Sequence, residues 1–315
     1  MPNSFLAVSL HKQKNNVGLS TTATTTIKHT VISDFKEITK MRLSLSVVFS
    51  SVAGYFLGAE TISLKIVLLL ALGGYFMVGA SNAFNQIIEK DLDALMHRTK
   101  HRPVASGRMT VNTAFLIACL FTVLGITILY TINAQTAMFG AISIFLYTSV
   151  YTPLKTKTPL SVFVGAIPGA IPFMLGWVAA TDNFGIEPGT LFALQFFWQF
   201  PHFWAIGWFL FDDYKRGGFF MLPTGKQDKG TAIQVLLYTI WTILVSIVPV
   251  FGVTGRLKLS IVAAVVVFGL GIMMLTYAIK LYKNRTEKAA KQLMLSSVLY
   301  ITLIQIVYVI DKFIR

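Results

Sequence analysis

The sequence predicts an all-α, polytopic membrane protein with nine transmembrane helices, and three observations carry that prediction. Hydrophobic residues make up 55% of the 315 and charged residues only 13%, with a mean hydropathy of +0.67. A soluble domain of this size needs a far more polar surface, so the apolar excess must face lipid. Apolar runs, each of roughly 17 to 25 residues and long enough to cross a hydrocarbon core of ~30 Å, occur at 43–59, 66–84, 111–130, 136–152, 160–180, 191–211, 232–253, 259–279 and 293–310. With the N-terminal tail placed in the cytoplasm, 22 of the 27 Lys and Arg residues fall on that side, and five (Lys65, Arg256, Lys258, Lys312 and Arg315) fall on the other. A missed or extra crossing would scramble this alternation, so the N-terminus is expected inside and the C-terminus outside.

The formal net charge of +14 does not indicate a nucleic-acid partner, because the cations stand in short clusters between apolar runs. The single cysteine, Cys119, lies within an apolar run and offers no disulfide or cysteine metal site. Residues 1–34 are polar, contain the Thr-rich tract from Thr21 to Thr26 and carry no acid before Asp34. They read as a disordered cytoplasmic tail, followed by a single domain over 35–315. An organelle transit peptide is similarly basic and hydroxyl-rich but also Arg-rich, and this tail has no Arg. The expectation is therefore a bacterial inner (plasma) membrane, with the mitochondrial inner membrane as the alternative.

Taken in order, the first two runs are plain until the second passes into Asn85-Gln-Ile-Ile-Glu89-Lys-Asp91-Leu-Asp93. Asn85, Glu89 and Asp93 stand at i, i+4 and i+8, which stacks them on one helical face, while Asp91 points away. A basic run follows: His97, Arg98, Lys100, His101, Arg102 and then Arg108. The third run is featureless and the fourth is short, and the loop Tyr151-Thr-Pro-Leu-Lys155-Thr-Lys157 adds two cations on the same side. Pro168 and Pro172, with Gly165, Gly169 and Gly176, predict a bent fifth helix that neighbours approach closely. In the sixth, Gln195, Gln199, His202 and, further on, Asp213 fall within about 60° of arc. Such a polar stripe is costly in a membrane unless it faces a cavity or a partner helix. Pro201 predicts a bend there. Phe196, Phe197, Trp198, Phe200, Phe203, Trp204, Trp208 and Phe209 surround the stripe and would suit a large flat or polyene ligand, although lipid and helix contact explains most such rings. A second loop with acids and bases, Asp212-Asp213-Tyr214-Lys215-Arg216, follows, and of the remaining three helices Gln305 is the polar residue to watch.

A row of carboxylates that can hold a divalent cation, set beside cations that can hold phosphate, suits a diphosphate whose oxygens complete the metal's coordination. Above an aromatic, polar-striped helix, the arrangement fits a charged head with a long apolar tail, such as a prenyl diphosphate. The metal and cations would stabilise the leaving diphosphate, and apolar walls would keep the allylic cation from water until an electron-rich acceptor meets it.

The pattern Asn-x3-Glu-x3-Asp followed by Arg98-Thr-Lys-His-Arg102-Pro103, with Tyr151-Thr-Pro-Leu-Lys155, Thr158-Pro-Leu, Gly165-Ala-Ile-Pro-Gly169, Pro201-His202-Phe203 and Asp212-Asp-Tyr214 to Met221-Leu-Pro223, resembles the intramembrane prenyltransferases related to the ubiquinone-biosynthesis enzymes. Within them it is most similar to those that use haem as acceptor, from about residue 35 to the C-terminus. The resemblance implies nine helices around a central cavity and two acid motifs holding Mg²⁺ and diphosphate. It also implies transfer of farnesyl from farnesyl diphosphate to a vinyl group of haem B with addition of water. The haem A synthase or the terminal-oxidase assembly machinery would be partners. Two departures stand out: Glu89 replaces the usual Asp, reaching one methylene further, and no acid follows Asp212 or Asp213 by four residues.

The expected catalytic groups are Asn85, Glu89, Asp93, Asp212 and Asp213, with Asn85, Glu89, Asp93 and Asp213 as metal donors. The stripe angle favours Asp213 over Asp212, whereas the resemblance does not choose. Arg98, Lys100, Arg102, Lys155, Lys215 and Arg216 are expected substrate contacts, with the charge asymmetry of membrane loops as their plainer explanation. Gln199 and His202 are expected at the acceptor, His202 as a contact or a ligand to haem iron. Competing functions are a prenyltransferase for an aromatic or quinone precursor and, from another class, a lipid or anion transporter; clustering of ionisable residues on one side counts against the transporter.

Overall fold

The computed structural model describes residues 30–315, so most of the expected tail lies outside the described residues. The first element is a short helix, α1 (Val31–Ile38), closed by a capping box in which Thr30 and Ser33 satisfy each other's backbone N–H groups. A turn through Lys40, which adopts the left-handed region at φ 44°, leads into α2 (Met41–Gly58). There follow α3 (Leu64–Ile88), α4 (Lys90–Leu95), α5 (Val111–Tyr130), and α6 (Ala134–Phe145), which continues through a π-helical turn (Leu146–Tyr151) into α7 (Thr152–Leu154). The chain is completed by α8 (Ser161–Thr181), α9 (Ile186–Phe209), α10 (Phe211–Arg216), α11 (Lys229–Ile247), α12 (Ile261–Asn284) and α13 (Glu287–Ile314). The described residues are all-helical, as expected.

Eight of the described helical segments are long and apolar enough to cross a membrane. The remaining long helix, α9, has 24 residues, or about 36 Å of rise, but Gln195, Gln199, His202 and its tryptophans make it too polar to qualify by composition. It packs against α8, α11 and α13, and length with composition supports eight crossings among the described residues rather than the expected nine. It runs through Pro201, and α8 through Pro168 and Pro172, without interruption.

Outside and inside are inverted relative to a soluble bundle. Leu68, Leu116, Leu120, Val123, Ile261, Val262 and Val265 are exposed on the outer faces, whereas small residues such as Ala80, Ala118, Ala166, Ala170 and Ala278 are buried. In water such a surface would aggregate; against lipid it is solvated. Helices α2, α3, α6, α8, α9 and α13 surround a common interior. The tightest crossing is α2 on α8, where a Cβ on Gly176 would lie 1.8 Å from the Ser51 carbonyl oxygen and one on Gly54 would lie 2.0 Å from that of Phe173. Backbone-to-backbone approach of this kind is how membrane helices gain dispersion contacts without a hydrophobic drive.

The charges separate by end. Arg256 pairs with Glu60 at 2.9 Å, Arg315 with Asp311 at 2.9 Å, and Lys312 donates to the Phe56 and Ala59 carbonyls. Lys40, Arg98, Arg102 and Lys155 gather around the other end of the cavity.

Substituting Gly176 or Gly54 by Ala should force α2 and α8 apart and cost about 1–3 kcal/mol, read as a lowered Tm in detergent. Gly269→Ala, on α12 where an added Cβ meets nothing within 4 Å, should leave Tm unchanged or raise it slightly.

Candidate functional site

The acid row survives folding, although not on one uninterrupted helix. Glu89 leaves helical geometry at φ −95°, ψ 9°, joining α3 to α4, yet its N–H still reaches the Asn85 carbonyl at 2.9 Å and the Asp93 N–H reaches the Glu89 carbonyl at 2.7 Å. The i, i+4 rhythm is therefore kept. Asn85, Glu89 and Asp93 are each buried and line the same cavity, while Asp91 is exposed.

Each acid holds a cation. Lys155 Nζ lies 2.5 Å from Glu89 Oε1, and one Arg102 nitrogen lies 2.9 and 2.7 Å from the two Asp93 oxygens. Burial raises the Asp93 carboxyl above its ordinary pKa, and the Arg102 charge opposes that shift. Asn85 donates to Thr152 Oγ1 at 3.4 Å. Thr152 itself donates to the Tyr147 carbonyl at 2.8 Å, tying the acid row to the π-helical turn. That turn brings Tyr147 and Tyr151 into the cavity lining, with ring centroids 5.2 Å apart, and π-turns recur at functional sites because they re-aim side chains in this way. Gly165 makes room for the Tyr151 ring, since a Cβ there would lie 2.6 Å from it.

Arg98 also lines the mouth, its guanidinium carbon 5.7 Å from the Tyr214 ring centroid, and Lys155 Nζ sits 4.6 Å from that of Tyr151. The sequence reading missed Lys40, which lies in the turn before α2 yet lines the cavity. Burial pushes the Lys40 amine well below its ordinary pKa, with repulsion from Arg102 and Lys155 adding to it. Its signal in sequence was only that of a tail cation next to the first span. Four described cations, Lys40, Arg98, Arg102 and Lys155, thus face two described carboxylates, Glu89 and Asp93, in the cavity wall. The surplus of positive charge in a low-dielectric mouth is a site for a polyanion.

The second acid loop is placed differently. Both Asp213 oxygens accept backbone N–H groups from the first loop, His97 at 2.7 Å and Arg98 at 3.2 Å, with Arg216 at 3.5 Å. Asp213, expected as a metal donor, therefore fastens the two loops together; with Asp212, His97, Arg98 and Arg216 it edges a smaller hollow on the rim. Lys100, Lys215 and Asp212 are exposed and absent from the lining of the main cavity. Arg108 bonds to Asp34 and Glu37, both at 2.9 Å, closing α1 over the same loop.

The cavity, its mouth included, has a volume of about 710 Å³. Gln199 and His202 line it, joined by Trp198, Phe203, Gln195 and Gln305. Gln305 bonds to Ser50 Oγ at 3.1 Å and Gln195 Oε1 at 3.2 Å, so α2, α9 and α13 share one buried polar contact. Asn82 was not singled out from the sequence; it bonds to the Thr39 and Val78 carbonyls and also faces the cavity.

The profile of the UbiA prenyltransferase family matches residues 47–304. The chain is 74% identical over 285 residues to a protein of Christiangramia forsetii named protoheme IX farnesyltransferase, covering 90% of this chain and 95% of that one. It is 70% identical over 288 residues to the protein of the same name from Flavobacterium psychrophilum, covering 90% and 96%. Among solved structures, one described as digeranylgeranylglyceryl phosphate synthase superposes with a TM-score of 0.73 at 15% identity, over 89% of this chain and 98% of that one. A UbiA homolog from Archaeoglobus fulgidus bound to GPP and Mg²⁺ gives 0.65 at 15% identity, over 88% and 99%. These neighbours share the fold. The match across most of its length, together with the acid row and the cations over an intramembrane cavity, places the chain in the UbiA prenyltransferase family.

Proposed function

We propose that the chain transfers the farnesyl group of farnesyl diphosphate to a vinyl group of haem B and adds water there, giving haem O. The observation that carries this reading is the convergence of Lys40, Arg98, Arg102 and Lys155 on Glu89 and Asp93 at the mouth of an aromatic-lined cavity. The names of the relatives support haem and farnesyl as the particular substrates.

Mg²⁺ fits this mouth only as a shared ion. Among the described residues no three His, Cys, Asp or Glu side chains cluster to hold a metal alone. Asn85, Glu89 and Asp93 offer hard oxygen donors, and Mg²⁺ commonly pairs one or two carboxylates with substrate phosphate oxygens. Bound there, it would make the diphosphate a better leaving group. Lys155 and Arg102 neutralise the two carboxylates in the described arrangement. Their charge would then turn to the diphosphate and stabilise the negative charge that grows as its carbon–oxygen bond breaks. Lys40 and Arg98 add to that field. Asp213 acts by holding the first loop, and with it Arg98, in place.

The vinyl group attacks the allylic carbon because its π electrons can form the new bond while the porphyrin shares the resulting charge. Tyr147, Tyr151, Trp198 and Phe203 wall the route, keeping bulk water from the allylic cation. The reading includes a bacterial plasma membrane with the mouth of the cavity and the N-terminal tail on the cytoplasmic side, and hand-over of product to the haem A synthase or oxidase assembly machinery.

Purified protein given haem B, farnesyl diphosphate and Mg²⁺ should yield haem heavier by farnesyl plus water. A product on a quinone precursor instead, or substrate movement across vesicles with no product, would sink the assignment. Glu89→Gln and Asp93→Asn should each lower kcat by about 10²-fold or more while the protein stays folded by circular dichroism. Lys155→Met leaves Glu89 buried without its counter-ion, which costs about 3–5 kcal/mol. Its Tm should therefore fall, and Mg²⁺ with farnesyl diphosphate should raise the Tm of this variant more than that of the wild type.

A further inference from the structure

Addition of water to haem requires a group that accepts a proton inside the membrane, and the acid row is poorly suited because Glu89 and Asp93 already hold Lys155 and Arg102 at the mouth. Of the other titratable side chains in the cavity wall, Lys40, Arg98, Arg102 and Lys155 serve the diphosphate, and Tyr147, Tyr151 and Tyr214 present phenol hydroxyls, which accept a proton far less readily than a ring nitrogen with a free lone pair. His202 remains.

Its hydrogen bonds fix which nitrogen is open. Ser297 Oγ donates its proton to the Met294 carbonyl at 2.7 Å, so toward His202 Nδ1, 2.9 Å away, it acts as acceptor. His202 therefore carries its proton on Nδ1 and presents the Nε2 lone pair. Nε2 has no hydrogen-bond partner among the described residues, and the ring lines the cavity. Trp198 stacks on the imidazole with centroids 4.7 Å apart and planes 18° apart, and its own Nε1 donates to the Ser297 carbonyl at 2.7 Å. The histidine is thus held on one face by Trp198 and at Nδ1 by Ser297.

Two amides on the same face of α9 are similarly left half-used. Gln199 spends its Nε2 on the Ala166 and Gln195 carbonyls, at 2.8 and 3.2 Å, which leaves Oε1 as an acceptor over Gly169, where a Cβ would lie 2.0 Å from it. Gln195 Oε1 accepts from Gln305 Nε2 at 3.2 Å, which leaves its own Nε2 as a donor with no described partner. Positions 195, 199 and 202 follow i, i+4, i+7 and share a face. Together they offer one donor and two acceptors, the two to four polar contacts that hold an ordered water in an otherwise apolar cavity. His202 stands seven residues before the end of α9, about 10 Å below the rim, on the apolar side of the diphosphate mouth.

We propose that His202 is the base that takes a proton from the water added to the haem vinyl group, with Gln195 and Gln199 holding that water beside it. The inference rests on the reading of the chain as a haem farnesyltransferase. The terminal vinyl carbon bonds to the allylic carbon of farnesyl as the bond from that carbon to the diphosphate oxygen breaks. The inner vinyl carbon becomes a cation, takes the water oxygen, and one water proton passes to His202 Nε2 and on to solvent. Haem, farnesyl diphosphate and water give hydroxyfarnesyl haem, diphosphate and a proton, with no change of oxidation state overall. Without the base, the same cation closes by losing a proton from the neighbouring CH₂, and the product is an alkene lighter by one water. A histidine ligating haem iron through Nε2 would have no lone pair for this step, so the two roles are exclusive.

The test is the product ratio formed by purified full-length protein from haem B, farnesyl diphosphate and Mg²⁺, read by mass spectrometry alongside the Soret band of bound haem. His202→Gln should still join farnesyl to haem while shifting the ratio of alkene to hydroxylated product by about tenfold or more. Ser297→Ala, which keeps the imidazole but frees Nδ1, should shift it in the same direction by less, and both should bind haem with an unchanged Soret band. An unchanged ratio in both variants overturns the inference, as does loss of haem binding with a shifted Soret band in His202→Gln, which would make the residue an iron ligand. If the wild type forms no haem product at all, the reading of the enzyme falls and the inference with it.

Discussion

Two buried ion pairs, Glu89 with Lys155 and Asp93 with Arg102, are the constraint around which the rest of the molecule is arranged. A carboxylate or an amine taken out of water is costly unless its partner is close, and pairs of this kind hold their elements together because either charge left alone would be penalised by several kcal/mol. The pairs therefore bind the α3–α4 junction to the loop after it and to the segment between α7 and α8. They also store the charge that the substrate needs: acids that suit a metal shared with diphosphate, and cations that suit the diphosphate itself.

The loops around this mouth are tied to one another rather than to the substrate. Asp213 holds the His97–Arg98 backbone, Arg108 draws α1 across by Asp34 and Glu37, and Thr152 connects Asn85 to the π-helical turn. The result is a rim assembled from four separate stretches of chain. Beneath it, the close approach of α2 and α8 at Gly54 and Gly176 and the Ser50–Gln305–Gln195 contact fix the walls. The polar groups of Ser50, Gln195 and Gln305 are tolerated between these helices because each finds a partner and lines the cavity.

Helix α9 joins the two halves of the chemistry. Its C-terminal end leads to the rim through α10, and its middle presents Gln195, Gln199 and His202 to the apolar part of the cavity. The same polarity that suits it to this place lowers its hydropathy below that of its neighbours, which is why length and composition count eight spans among the described residues and leave α9 out. A functional helix in a membrane protein is the one expected to break the rule of apolarity.

Much of this was legible in the sequence because the responsible physics is local. Run length against bilayer thickness set the long helices, the i, i+4, i+8 rhythm placed Asn85, Glu89 and Asp93 on one face, and the polar stripe of α9 announced a cavity. The tertiary structure alone decided what those side chains meet. Lys40 reads in sequence as one more tail cation, and only the fold of α1 over the rim brings it into the cavity wall. Asp213 shares the angle of the stripe, but α9 ends at Phe209 and α10 starts afresh, so its carboxylate turns to the backbone of the first loop. Lys155 pairs with Glu89 across 66 positions and His202 with Ser297 across 95, distances over which periodicity carries no information. Periodicity fixes the face of a helix, whereas packing between helices fixes what that face touches.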